Sequence, residues 1–215
     1  MLLTISMDPH PLLEIELFVT RFATSLARTE TPPAIAALVE PDAGADLTAT
    51  DEVRAEVRQL LRAGGFKPAG RSKPASEYLV AAATERRFPR INAAVDACNV
   101  VSLHSGLPIS LVDVDRMNGH ALRIGIAPAA TSYVFNASGQ VIDASGLVCA
   151  FDGEGPTGTP VKDAQRTKTH DDTRATLSII WGTTSLPGRT ARTARWYREL
   201  VSAIAGATIE DVTRA

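Results

Sequence analysis

Asp96, Asn99, Asp113 and Asp115 crowd into the stretch Arg90–Arg116. Asn92, Asp96 and Asn99 are spaced four and three apart, so a helix would carry them on one stripe. Such a stripe can hold a polar ligand or orient a water. It can equally cap turns and tie loops, and Asp96 suits that plainer role best. Ile91, Val95, Cys98 and Ser102 form the neighbouring stripe, and Gly106 and Pro108 stop the helix. Ile109 to Val114 then alternates as a strand, with Asp113 and Asp115 at its end.

A second group lies in Asp152 to Arg174, which is long, polar and rich in Gly, Pro and Thr. It holds four basic and five acidic side chains and His170. Loops longer than about 12–15 residues inside a domain are usually functional or disordered. This one runs back into an apolar strand, Ala175 to Trp181, so it is anchored at both ends and reads as the rim of a small-ligand site. Asp152 and Glu154 can activate or position a water, as in general-base hydrolysis, or pair with Lys162 or Arg166. There is no phosphate-binding glycine loop, dinucleotide fingerprint, Gly-x-Ser-x-Gly elbow or Cys-x-x-Cys pair. His104 and His170 are isolated, and no metal or cofactor is called for. The residues alone reach a hydrolase or a binding module for a small polar ligand.

Several elements must position these groups. Leu12 to Val19 alternates, with Leu13, Ile15, Leu17 and Val19 on one face and Glu14, Glu16 and Phe18 on the other, as a half-buried strand. Thr48 or Thr50 caps a helix from Asp51 to Arg62, and Gly64-Gly65 ends it. Residues 1–70 read as an α/β lead-in, 71–185 as the core carrying the motifs, and 189–207 as a C-terminal helix, all within one domain, 1–215. Ser72 or Ser76 is expected to cap a helix from about Ala75 to Glu85. Strand-like runs at 121–127, 132–136, 140–143 and 147–151 suggest an antiparallel meander. Arg189, Arg192, Arg195 and Arg198 recur every three residues beside Trp196 and Tyr197. The alternatives there are an RNA-backbone contact through Arg192 and Arg195, or a solvated face with Trp196 in the core.

The chain has 215 residues, 45% hydrophobic and 21% charged, with a net charge of −2. No overall basic field recruits nucleic acid, so any such contact needs a local patch. Cys98 and Cys149 are expected to be free thiols in a reducing compartment. No run approaches the roughly 20 apolar residues of a membrane helix, and the expected location is the cytoplasm.

The pattern Asp96-x-x-Asn99, Gly106-x-Pro108, Asp113-x-Asp115-Arg116 resembles the editing domain of the phenylalanyl-tRNA synthetase beta subunit, its third and fourth modules. Seven positions match in register across 21 residues, with a looser likeness from Ser72 to Trp181. The segment Asp152-x-Glu154-Gly-Pro through Pro-Val-Lys-Asp-x-Gln-Arg-Thr looks like that of free-standing versions of the domain. The resemblance implies an α+β fold with a β-sandwich-like core and peripheral helices. It implies translation fidelity through hydrolysis of mischarged aminoacyl-tRNA in trans by a positioned water. The partners are then the tRNA acceptor end and its amino acid, with no DNA and no membrane. It does not imply ligation of amino acids to tRNA. The alternative keeps the fold as a tRNA- or amino-acid-binding module without catalysis.

By register, Cys98 and Ser110 fall where the synthetase lines its pocket. Ser110 replaces the usual histidine, which implies a different amino acid or a different water-holding group, for which Asp152, Glu154 or His170 from the loop are the catalytic candidates. Asn92, Asn99, Lys162, Asp163, Arg166 and Lys168 complete the candidate substrate-binding set.

Overall fold

The structure, a computed structural model, describes residues 3–214. It is a mixed α+β architecture. Five helices are described: α1 (Pro33–Ala36), α2 (Asp51–Arg62), α3 (Ala75–Thr84), α4 (Ala93–Ser105) and α5 (Arg189–Ser202). The strands are β1 (Thr4–Met7), β2 (Leu13–Phe22), β3 (Ile109–Asp113), β4 (Ala121–Ile126), β5 (Ser132–Val134), β6 (Val141–Asp143), β7 (Val148–Phe151), β8 (Pro156–Gly158), β9 (Ala175–Thr183), β10 (Ala207–Glu210) and β11 (Thr213–Arg214). They form a five-stranded sheet, β11-β1-β4-β7-β8, a four-stranded sheet, β10-β2-β9-β3, and the β5-β6 hairpin.

Strand periodicity explains the layering. Ile15, Leu17 and Val19 of β2, Val112 of β3 and Leu177, Ile179 and Trp181 of β9 share one cluster with Leu122 and Ile124 of β4 and Val148 and Ala150 of β7. The two sheets therefore bury one apolar layer between them. The alternate residues Phe18, Phe22, Ile109, Leu111 and Ile180 turn the other way and join Ala94, Cys98, Trp196 and Tyr197 from α4 and α5. Burying each large aliphatic side chain here contributes about 1.5–3 kcal/mol. No helix is long and apolar enough to cross a membrane.

The helix caps follow the sequence rules. Thr50 accepts from the Val53 amide at the start of α2, and Gly106 closes α4 in the left-handed conformation, φ 70°. Three boundaries move. Helix α4 starts at Ala93, because Asn92 is its cap and Ile91 is exposed. Pro74, not a serine, precedes α3, and no side chain caps that helix. The last helix ends at Ser202 rather than Ala207, and Ala207 opens β10, which pairs with β2.

Three expectations about exposure and topology are corrected. Strand β2 is not half-buried, because α5 covers its second face and Tyr197 meets the fully buried Phe18 edge-on at 5.0 Å. Nor is the region after Arg116 a simple meander. β4 runs parallel to β1, and the β5-β6 hairpin is inserted between β4 and its antiparallel partner β7. The lead-in supplies β1 and the central strand β2, so it is woven into both sheets. Finally, the 152–174 segment is not an open loop. It holds β8 and a short 3₁₀ turn at Gln165–Thr167, with Thr157, Thr159, Thr167 and Thr173 buried. Their hydroxyls bond neighbouring polar groups, Thr157 donating to Ala150 O and Thr167 to Thr157 O. That satisfies the backbone without a regular ladder.

Candidate functional site

The amide-and-carboxylate stripe of α4 is mostly structural. Asn92 accepts from Val95 N as the helix cap. Asp96 is buried and accepts from Thr31 Oγ1 at 2.8 Å, Ile91 N at 2.8 Å and Arg90 Nε at 3.0 Å. It ties the approach to α1 and the approach to α4 together, as the plainer reading had it. Asp96→Ala leaves these donors without their acceptor and is expected to cost about 2 kcal/mol in urea denaturation. A loss below about 0.5 kcal/mol contradicts the tie. Asn99 is half-buried.

The carboxylates of the second group separate into two knots. Asp152 accepts two bonds from Arg166, at 2.6 and 2.8 Å, and further bonds from the Asn118, Glu154 and Gly155 amides. Burial pushes its pKa up, but Arg166 and these amides outweigh burial and hold it below the usual value. Glu154 is exposed and 3.8 Å from the same arginine. His170 lies elsewhere, with Nε2 3.3 Å from Asp113 Oδ2. Asp113 is buried and also accepts from Thr173 Oγ1 and Asp115 N. No contact joins Asp152 and Glu154 to His170 among the described residues.

Five of the candidate residues do converge. Ser110, at the centre of β3, donates to Thr159 O at 3.1 Å and accepts from Trp181 Nε1 at 2.9 Å. Asp163 Oδ2 accepts from Leu111 N at 3.0 Å, which locks it to the same strand. Burial pushes the Asp163 pKa up to about 6, against the opposing pull of Ser110, the Leu111 amide and Lys168. Cys98 lies beneath and donates to Ile109 O. Burial pushes its pKa up to about 12, so it is no thiolate nucleophile at neutral pH. Lys168 Nζ bonds Phe135 O at 2.5 Å, and Lys162 Nζ stands 3.9 Å above the Phe135 ring. Tyr133 donates to the Lys162 carbonyl.

Of these five, Lys162 lines a cleft of about 350 Å³, together with Arg71, Ser72, Phe135 and Ile142 among others. Burial, then repulsion from Arg71 and Lys168, lowers the Lys162 pKa. Three cations thus stand close enough to oppose one another. Tyr78 lies 5.9 Å from Lys162 on the far side. A cavity of about 290 Å³ between α2 and α3 shares no residue with this cleft. Arg192 and Arg195 are exposed on α5, whereas Arg189 is tied to Ser105 O and Thr48 O.

Sequence reasoning missed Arg71, Tyr78, Tyr133 and Phe135. Tyr133 and Phe135 are two apart in a strand-like run, so a shared face was available as a signal. Nothing in the sequence points that face at Lys162.

A model of the B3/4 domain family matches residues 67–211, so the chain belongs to that family. It is the domain type found in the phenylalanyl-tRNA synthetase beta subunit, where it is associated with tRNA binding and editing. The matched span excludes β1 and β2, although both complete the sheets. A search of curated proteins finds no match.

Proposed function

We propose that this domain hydrolyses mischarged aminoacyl-tRNA in trans, water attacking the ester that joins the amino acid to the terminal ribose. The two sheets with outer helices are the arrangement that the editing modules suggest. One observation carries the reading. On a chain of net charge −2, Arg71 and Lys162 line one cleft with Phe135, and Lys168 and Tyr78 stand near Lys162. Cations suit the phosphates of a single-stranded tRNA end, and an aromatic face suits its unstacked base. A buried acid, Asp163, follows Lys162 directly and stands beside Ser110. The ester is already activated, so a positioned water suffices without a covalent nucleophile.

The reading predicts a salt-dependent affinity for tRNA. Lys162→Glu is expected to weaken binding more than about 10-fold at low salt and to reduce the salt slope by about 0.7 per lost phosphate contact. An affinity and slope equal to those of the wild type would remove the cleft from the tRNA path.

A second reading, a binding module without turnover, draws on a specific observation. Asp152 and His170 are both engaged by internal partners and do not meet. Under that reading tRNA binding persists and no ester is cleaved.

A further inference from the structure

We propose that the cavity between α2 and α3 binds a small aliphatic carboxylate. Its volume of about 290 Å³ lies at the small end of ligand pockets, which suits a body of a few carbons. Ala49, Val57, Val80 and Ala81 give it an apolar wall, and Lys73 and Ser76 stand in it at the start of α3.

The start of α3 is arranged to receive a negative charge. No side chain caps this 10-residue helix. Glu77, the acid of its first turn, is turned instead to Arg58 of α2, which donates to both carboxylate oxygens at 2.6 Å. The Ala75 amide donates to Pro160 O and the Glu77 amide to Pro74 O. The Ser76 amide between them has no acceptor among the described residues. Helical amides point back along the axis, here toward Lys73 and Pro74, which line the same cavity.

The Ser76 hydroxyl stands apart from the others in the chain. Ser76 lines the cavity, is only 3% exposed, and bonds no group through its hydroxyl among the described residues. Ser102, Ser105, Ser110 and Ser178, the other buried serines, each bond a neighbouring group. A buried hydroxyl left unpaired by the protein is satisfied by what enters the cavity.

Charge sets the class of ligand. Arg54 pairs with Asp51 at 3.0 Å and Arg58 with Glu77, so Lys73 is the cation of the lining without a carboxylate partner. One such cation matches a carboxylate better than the double charge of phosphate. The carboxylate accepts from the Ser76 amide and hydroxyl and neutralises Lys73, and its aliphatic body lies on the apolar wall. Arg71 and Ser72 line the neighbouring cleft while Lys73 and Pro74 line this cavity, so the two sites meet within four consecutive residues. The proposal does not depend on the tRNA reading.

An NMR titration of the backbone amides of the full chain, at constant ionic strength, tests it. Isovalerate is expected to give saturable shifts at residues 73–77 and in the first turns of α2. Its neutral counterpart isovaleramide and inorganic phosphate are expected to give none. Ser76→Ala and Lys73→Met are each expected to weaken isovalerate binding about 10-fold or more, with amides remote from the cavity unmoved. Valine carries the same body and an ammonium group. Tighter binding than isovalerate assigns the site to free amino acids, weaker binding to simple acids, and either result upholds a carboxylate. Isovalerate that fails to saturate these amides, isovaleramide or phosphate that binds as well, or variants that bind like the wild type overturn the proposal. If one variant disturbs the fold, the other and the neutral amide decide by the same criteria.

Discussion

Arg166→Ala is expected to destabilise the protein by roughly 3 kcal/mol, or about 6–12 °C in melting temperature for a chain of this size. The Asp152 side chain is fully buried, and Arg166 is its only cationic partner within hydrogen-bond distance among the described residues. Removing one member of a buried pair leaves a charge that the interior cannot solvate, at a cost of about 3–5 kcal/mol. Three backbone amides still face Asp152, which places the effect at the low end. Arg166 also donates to Gly155 O and Pro156 O, so it closes the turn into β8. The double variant Asp152→Asn, Arg166→Met should recover part of the stability, since no buried charge then stands alone. A single variant that melts within about 2 °C of the wild type would show that Asp152 finds its solvation elsewhere.

Asp163→Asn should act in the opposite direction. The folded Asp163 has a pKa of about 6, against 3.8 for the free group, and burial is the cause. Between those values the folded chain holds a proton that the unfolded chain has released. Stability therefore falls as pH rises through that window, and the full cost, on the order of 3 kcal/mol, is present above it. Asparagine carries no such cost. The variant is thus expected to be more stable than the wild type at pH 7, with the difference vanishing near pH 4. Urea midpoints at the two pH values measure it. A variant equally destabilised at both pH values would make Asp163 a structural acid whose hydrogen bonds outweigh its burial.

The sequence made some of this legible and hid the rest for identifiable reasons. Local chemistry was readable: Thr50 as a cap, Gly106 as a helix stop, and the alternation that sends Ile15, Leu17 and Val19 between the sheets. Asn92 was harder, since a cap and a ligand look alike when only spacing is known. Strand β10 went unread, and the helix before it was carried on to Ala207, because the strand's partner is remote. Arg21 and Glu210, which bond across that pairing, lie 189 residues apart. The 152–174 segment read as a loop because its order comes from threonine hydroxyls bonding neighbouring polar groups, and that leaves no apolar period. The same segment holds Asp152 and Asp163, which spacing cannot rank. Burial separates them: one is neutralised by an arginine, the other is left with a free oxygen. Ser110 and Lys162 were named from the chain and converge with Lys168, whereas the aromatic wall at Phe135 appeared only in three dimensions.

The most direct measurement is deacylation of a panel of mischarged tRNAs by the purified protein, including tyrosine, serine, threonine and alanine esters. Release of one amino acid well above the uncatalysed rate is the predicted result. Release of none, at protein concentrations that saturate tRNA binding, would contradict the hydrolase and leave a module that holds the tRNA end.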